Sequence, residues 1–230
     1  MSDPRSTDTS TAAALTTPVL RSPLMSIHRA NGAMTQIDDG AEVVRSYGDT
    51  DAERVILTGA VGVADITVRA KIDLRGRIDG QIDGLIDASV KPRADDVVAR
   101  IAEDWTLVFA PPGPVTERVA SMASRAGHDA MVTDVTHLYA GFAIGGPALA
   151  EVVARLTSWD PATLEPGDAT GAPIADIRAI VVRRQTSLPI LEIFVAMEFA
   201  RYAWRSISDV VERLGGGPVG WDALHEQGWR

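Results

Sequence analysis

Glu192 is the acidic residue whose neighbours say most about its chemistry. It lies in an apolar run, residues 190–195. Alternate side chains of a strand point to opposite faces, so Glu192 shares one apolar face with Ile190 and Phe194, and the other three residues form a second. A dry, unpaired carboxylate costs several kcal/mol. Glu192 must therefore reach water or find hydrogen-bond donors.

Two environments would satisfy Glu192. In the first, its strand lies at the edge of a sheet and the carboxylate is in water. In the second, the carboxylate is a bidentate acceptor for a planar ligand with two adjacent N–H donors, such as a pterin or guanine edge, and Phe194 stacks beside it. The sequence alone leaves both open.

Asp95 and Asp96 form a second acidic feature, directly before a predicted strand. A carboxylate at the mouth of a pocket can stabilise a developing ammonium or iminium charge, which makes both residues candidate catalytic groups. The alternative is that the pair serves as turn and cap residues.

The composition removes several other kinds of site. The chain has no cysteine, which excludes disulfides, thiolate catalysis and iron-sulfur clusters. Its four histidines are scattered without an i, i+4 pair, and the Asp- and Gly-rich run at 78–87 lacks the helix-flanked loop of a calcium site. We therefore expect no bound metal.

The net charge and the N-terminal residues bear on the partners and the cellular location of the protein. Lys and Arg number 22 against 31 Asp and Glu, a formal charge of -9 that disfavours nucleic acid as a partner. We expect residues 1–20 to be a disordered lead and the fold to begin near Arg21. With no signal peptide and no apolar stretch long enough for a membrane span, the sequence predicts a cytoplasmic protein without a membrane partner.

The elements that must position these residues alternate between strands and helices. Residues 21–51 carry turn signals and predict little regular structure. Periodicity, Pro and Gly then predict strands at 55–57, 61–75 (one strand or a bent pair), 97–101, 105–109, 130–135, 138–144, 174–183 and 188–196, helices at 115–125, 147–156 and 198–214, and a loop at 158–173. This order indicates an α+β fold of split β-α-β units.

Short motifs along residues 21–230 occur in a recognisable order. They are RSPL at 21–24, GVADI at 62–66, AEDWTLV at 102–108, DVTH at 134–137, GGPA at 145–148, LEI at 191–193 and PVGWDALH at 218–225. Together they resemble the folate-binding aminomethyltransferase superfamily, which includes the glycine-cleavage T-protein and the gamma subunit of heterotetrameric sarcosine oxidase.

The resemblance implies a fold, a cofactor and site residues. It implies two intertwined ferredoxin-like halves that form one folate-binding domain over residues 21–230, with tetrahydrofolate as cofactor. By position, Glu192 matches the pterin-binding glutamate, and Asp95 or Asp96 matches the carboxylate near the one-carbon unit. Phe194 and Asp65, the latter within the GVADI motif, are the further cofactor-binding candidates.

Departures from the family pattern leave three functions open. Ala110 and Leu224 replace an Asn and an Arg of T-proteins, and with nothing after Arg230 we expect no C-terminal barrel. The first function is a tetrahydrofolate-binding subunit that accepts a one-carbon unit from a demethylated amine, with flavin-dependent amine oxidase or demethylase subunits as partners in a hetero-oligomer. The second is a structural subunit of a sarcosine-oxidase-like complex that has lost the ligand. The third is a freestanding methyltransferase.

Overall fold

The computed structural model describes residues 18–76, 96–126, 128 and 130–229. The strands in these ranges are β1 (Met34–Asp38), β2 (Ala41–Ser46), β3 (Gly62–Asp65), β4 (Ala70–Gly76), β5 (Val97–Ala102), β6 (Trp105–Ala110), β7 (Ala130–Asp134), β8 (Tyr139–Gly145), β9 (Ala169–Ile174), β10 (Ile177–Arg183), β11 (Ile190–Ala196) and β12 (Gly217–Pro218). The α-helices are α1 (Met25–Ala30), α2 (Thr50–Gly59), α3 (Thr116–Ala126), α4 (Leu149–Leu156), α5 (Ala200–Arg213) and α6 (Trp221–Glu226).

The described strands form three sheets. A six-stranded sheet has the order β12-β3-β8-β11-β10-β9, a four-stranded sheet has the order β5-β6-β4-β7, and β1 and β2 form a hairpin. All pairs are antiparallel except β12 with β3. The chain is therefore α+β, as the sequence predicts, and the strands in these ranges close into no barrel.

The sheets pack in layers. One face of the six-stranded sheet, including Leu191 and Ile193, packs against α4 and α5. Its other face, including Ile190 and Phe194, packs against Phe109 of the four-stranded sheet. The far side of that second sheet packs against Met122 of α3. Glu192 therefore lies between the two sheets.

Most of the predicted elements after residue 60 are present. The bent pair within 61–75 is β3 and β4, and the hairpin of β5 and β6 forms as its pattern predicts. Helices α3, α4 and α5 lie where Pro, Gly and the apolar stripes place them. None of the helices in the described ranges is both long and apolar enough to cross a membrane.

Three predictions of local structure are wrong. Residues 55–57 belong to α2, because Asp49 caps the helix by accepting a hydrogen bond from Ala52 N and acidic residues occupy the first turn. Residues 21–51 contain α1 and the β1–β2 hairpin, which turns at Asp39 and Gly40 with positive φ angles. Residues 174–183 are two strands rather than one, since the chain reverses at positive-φ Ala175 and Asp176, and β9 lies partly within the predicted loop.

Asp65, a cofactor-binding candidate, fastens the N-terminal segment to β3. Its Oδ2 accepts hydrogen bonds from Ser22 Oγ and, at 2.8 Å, from His28 Nε2, while its Oδ1 accepts one from Thr67 N at 2.8 Å. Tyr47 O–H lies 2.7 Å from His28 Nδ1. Burial acts to raise the pKa of Asp65, but the hydrogen bonds from His28, Ser22 and Thr67 outweigh it and hold the pKa below its ordinary value.

We expect Asp65→Asn to lower the free energy of unfolding by about 3 kcal/mol at neutral pH, because it removes the charge that compensates this buried network. A carboxylate with a lowered folded-state pKa stabilises fully above its unfolded pKa of about 3.9, and that contribution is lost as the pH falls through the folded value. The difference in the free energy of unfolding between the variant and the wild type should therefore become smaller in acid. Urea unfolding at several pH values from neutral to acidic measures this difference.

Asp222→Asn is the matched control, since Asp222 pairs with Arg45 at 2.6 Å but is 36% exposed. An exposed pair contributes only about 0–1 kcal/mol. Equal destabilisation by the two substitutions would contradict the role of Asp65.

Candidate ligand-binding site around Glu192

Glu192 lies on β11, an interior strand of the six-stranded sheet. Its neighbours are β8 and β10, and the residue is fully buried. Of the two environments that the sequence leaves open, the exposed edge strand is therefore excluded for this residue. The prediction that Glu192 shares a face with Ile190 and Phe194 is confirmed, because both pack in the cluster between the two sheets.

Among the described residues, hydrogen-bond donors reach only one of the two oxygens of Glu192. Oε1 accepts hydrogen bonds from Arg69 Nη1 at 2.8 Å and from Trp229 Nε1 at 2.6 Å, and Arg184 Nη1 lies 3.4 Å away. Oε2 is buried and has no hydrogen-bond partner in the part of the chain that the structure describes. A buried carboxylate oxygen without a donor is costly, so Oε2 is an acceptor available to a ligand.

Phe194 is committed to internal packing. Its ring is 1% exposed and stacks on Phe109, with centroids 4.0 Å apart and planes inclined by 14°. Gly141 makes room for it, because a Cβ there would lie 2.7 Å from the Phe194 ring. The expected contact of Phe194 with a ligand stays a prediction, and in this geometry the ring supports the inter-sheet layer beside Glu192.

A cavity of about 390 Å³ adjoins this cluster. Its wall includes three ring side chains, Trp221, His225 and Trp229, together with Arg69, the acidic Asp38 and two prolines at 111–112. Arg69 and Trp229 line the cavity and also bond Glu192, which itself is not part of the wall. A molecule in the cavity therefore meets Trp229 before it meets Glu192.

Lys71 is a buried cation in the same inter-sheet layer. Its Nζ donates to the carbonyl oxygens of Thr67 at 2.8 Å and Arg69 at 2.9 Å, and lies 5.9 Å from the Phe194 ring centroid. Burial, and then the neighbouring Arg69 charge, lower the pKa of Lys71 to about 7. The layer around Glu192 thus carries cationic side chains in a chain that is acidic overall.

The acidic pair is only partly described. Asp96 forms a two-pronged pair with Arg118 of α3, at 3.3 and 2.6 Å, and its side chain is 2% exposed. Asp95 lies outside the described residues, as does the run at 78–87. In the parts of the chain that are described, no three His, Asp or Glu side chains converge as metal ligands.

Sequence reasoning missed the residues that compensate Glu192. Arg69 lies in the turn between β3 and β4, 123 positions from Glu192, and Trp229 follows α6. The local signal is Arg69, a basic residue that lies between two apolar residues and two positions before a second basic residue, Lys71. Such a residue is rarely buried without a partner, but nothing in the sequence names the partner.

An aromatic-lined cavity beside a buried carboxylate with a free oxygen is typical of a small-molecule-binding domain. Residues 81–227 match the family described as the GCVT N-terminal domain. The chain belongs to this family and so to the aminomethyltransferase superfamily that its motifs resemble.

Two aminomethyltransferases are similar in sequence. That of Saccharopolyspora erythraea is 26% identical over 221 residues, and that of Streptomyces coelicolor is 27% identical over 226. The alignments cover 87% and 89% of this chain but only 60% of each relative. The chain thus spans about three fifths of the length of the curated relatives it matches.

Two solved structures share the fold. The glycine cleavage system aminomethyltransferase T of Bartonella henselae has a TM-score of 0.73 at 18% identity, over 91% of this chain and 62% of that one. A chain of the heterotetrameric sarcosine oxidase of Corynebacterium sp. U-96 has a TM-score of 0.58 at 16% identity, over 73% of this chain and 93% of that one.

We expect the stability of the wild type relative to Lys71→Met to grow with pH between about 7 and about 10. An unfolded lysine has a pKa near 10.4. Because the folded-state pKa is lower, the unfolded chain binds more protons in this window, and each pH unit favours the folded state by up to about 1.4 kcal/mol. Urea unfolding at both ends of the window measures a gain of a few kcal/mol.

Arg75→Met is the control, because it removes a half-exposed cation from the same strand, and a guanidinium does not titrate here. Its stability curve should run parallel to that of the wild type. A parallel curve for Lys71→Met as well would show that Lys71 titrates normally.

Proposed function

We propose that this protein binds tetrahydrofolate and accepts a one-carbon unit from a demethylated amine, together with a larger partner enzyme. One observation carries the proposal: the buried Oε2 of Glu192 lacks a donor within the described residues, and the two side chains that bond Oε1, Arg69 and Trp229, also line a cavity. The membership in the aminomethyltransferase superfamily supports the same ligand class.

In this proposal Glu192 recognises the pterin edge. A carboxylate accepts two parallel N–H donors when both of its oxygens are accessible, and a pterin presents such donors on one edge. Phe194 and Asp65 have supporting roles in this proposal. Phe194 packs in the layer that carries Glu192, and Asp65 holds the N-terminal segment in place. The chemistry of the Glu192 carboxylate therefore supports the proposed ligand class.

Charge around the site supports an anionic ligand. Arg69 and Arg184 both lie within 3.4 Å of Oε1, so two guanidinium groups face a single carboxylate. Lys71 adds a third base nearby, although its lowered pKa leaves it partly neutral at pH 7. We propose that these cationic side chains help a chain that is acidic overall to hold an anionic folate.

Asp95 and Asp96 are the proposed catalytic carboxylates. Tetrahydrofolate, when bound, supplies the nucleophilic nitrogens that accept the one-carbon unit. The chain's part is to hold a carboxylate near the cation that forms on the donor amine. We propose either carboxylate of the pair for this contact, and Asp96 also forms an ion pair with Arg118 of α3.

A partner enzyme is proposed from the sarcosine oxidase likeness. That structure is a heterotetramer, and this chain aligns with 93% of one of its chains. We propose flavin-dependent amine oxidase or demethylase subunits as partners in a hetero-oligomer. Production of the one-carbon unit would then be the partner's reaction.

A second candidate is a non-catalytic subunit of a sarcosine-oxidase-like complex. Two contacts favour it: Oε1 of Glu192 already bonds Trp229, and Phe194 already stacks on Phe109. In this candidate the Glu192 cluster is a structural ion pair and the protein binds no folate.

We expect Glu192→Gln to weaken tetrahydrofolate binding by about 10- to 100-fold, because a neutral amide replaces a charged acceptor of two N–H groups. Calorimetric titration of the full chain with tetrahydrofolate under reducing conditions measures the dissociation constants. Thermal unfolding of each variant checks that the fold is retained.

Glu42→Gln is the matched control, since Glu42 is also a buried carboxylate paired with arginines, Arg21 and Arg29, but lies on β2. It should bind as the wild type does. Equal binding by wild type and Glu192→Gln would refute the assigned site. Binding by neither would favour the structural subunit, unless Trp229 blocks the site as inferred next.

A further inference from the structure

Trp229 makes the contact with Glu192 that a ligand would make. The indole N–H is a donor only, and it donates to Oε1 at 2.6 Å from a side chain that is 1% exposed. An N–H group of a planar heterocyclic ligand would donate a hydrogen bond to Glu192 in the same way. The chain itself therefore satisfies half of the acceptor site.

Both acceptor positions of Oε1 are taken. A carboxylate oxygen has two lone-pair sites, and Oε1 accepts from Arg69 and Trp229 while Arg184 lies at 3.4 Å. A ligand that pairs with Glu192 through two adjacent N–H groups needs Oε1 as well as Oε2. The indole bond is the one that must yield, because Arg69 is a buried cation whose charge Glu192 compensates.

Ring contacts and a backbone hydrogen bond hold the segment that carries Trp229, and the Arg69 guanidinium lies 5.3 Å from the indole centroid. The indole lies against His225, with ring centroids 5.4 Å apart, and meets Trp221 edge-on at 5.1 Å. Its backbone N–H donates to Leu224 O at 3.2 Å. Gly228 precedes it with a φ of 81°, a left-handed conformation that favours glycine and ends α6.

The cavity lies on the other side of this indole. Trp229 forms part of its wall together with Trp221, His225 and Arg69, whereas Glu192 does not. Rotation of the segment about Gly228 would join the cavity to Glu192. The aromatic wall that now holds the indole would then be free to stack on a flat ring.

We propose that Trp229 is an internal competitor for Glu192 and thereby sets the affinity of the site, so that a planar N–H donor ligand binds only by displacing the indole. This inference rests on the proposed function. The proposed function alone predicts that removal of a residue from the cavity wall weakens ligand binding. This inference predicts instead that loss of the Trp229 N–H group strengthens it.

The test is calorimetric titration of the full chain with tetrahydrofolate, comparing wild type with Trp229→Phe. Phenylalanine keeps an aromatic ring at this position but has no N–H group to compete for Oε1. We expect Trp229→Phe to bind roughly tenfold more tightly than the wild type, the effect of one hydrogen bond to a charged group. Trp221→Phe is the control: it removes the indole N–H that donates to Asp65 O, from the same wall, and should bind no more tightly than the wild type.

The indole N–H signals of ¹⁵N-labelled protein give a second measurement. The signal that Trp229→Phe removes should move when tetrahydrofolate is added to the wild type, because the indole leaves Glu192. A signal that stays in place while heat is released would overturn the inference.

The outcomes separate this inference from the proposed function. Tighter binding by Trp229→Phe supports both, including the case in which the wild type binds too weakly to detect. Equal or weaker binding by Trp229→Phe, with Glu192→Gln still impaired, overturns the inference and leaves the proposed function standing. No binding by the wild type, Trp229→Phe or Trp229→Ala overturns both.

Discussion

The ion pair of Glu192 and Arg69 is the constraint on which the centre of the structure depends. Both side chains are almost completely buried, at 0% and 1% exposure. Removing water from two charges costs several kcal/mol per ion, and the attraction between them offsets this cost only with good geometry and additional hydrogen bonds. The pair therefore fixes where β11 lies relative to the β3–β4 turn, and Trp229 follows because it supplies the second donor to the same oxygen.

Local patterns are sufficient for much of the fold. The β5–β6 hairpin, α3, α4 and the two faces of β11 each follow from residues within one element, because alternation, apolar stripes and Pro or Gly boundaries act over a few positions. Predictions from these patterns were wrong where a helix cap or a turn overrode the local preference. Residues 55–57 are apolar enough for a strand, yet the Asp49 cap extends a helix through them.

The candidate site was predictable in part. That Glu192 requires donors follows from its position on an apolar face, but the donors come from 123 and 37 positions away in the sequence. No periodicity links Arg69, Glu192 and Trp229, since they belong to a turn, a strand and the segment after a helix. Likewise, β11 is an interior strand because β10 pairs with it on one side and β8 on the other. The sequence of β11 alone does not reveal this position in the sheet.

Hydrogen-bond donors are distributed unevenly around the Glu192 carboxylate. A purely structural pair leaves little unsatisfied, because every buried polar atom without a partner lowers stability. Here one oxygen of Glu192 bonds two donors, and within the described chain the other bonds none. Two arginines, Arg69 and Arg184, lie next to this one carboxylate. A carboxylate oxygen that bonds no donor in the described chain, next to two arginines of which one lines a cavity, is an arrangement that a ligand with N–H donors would complete.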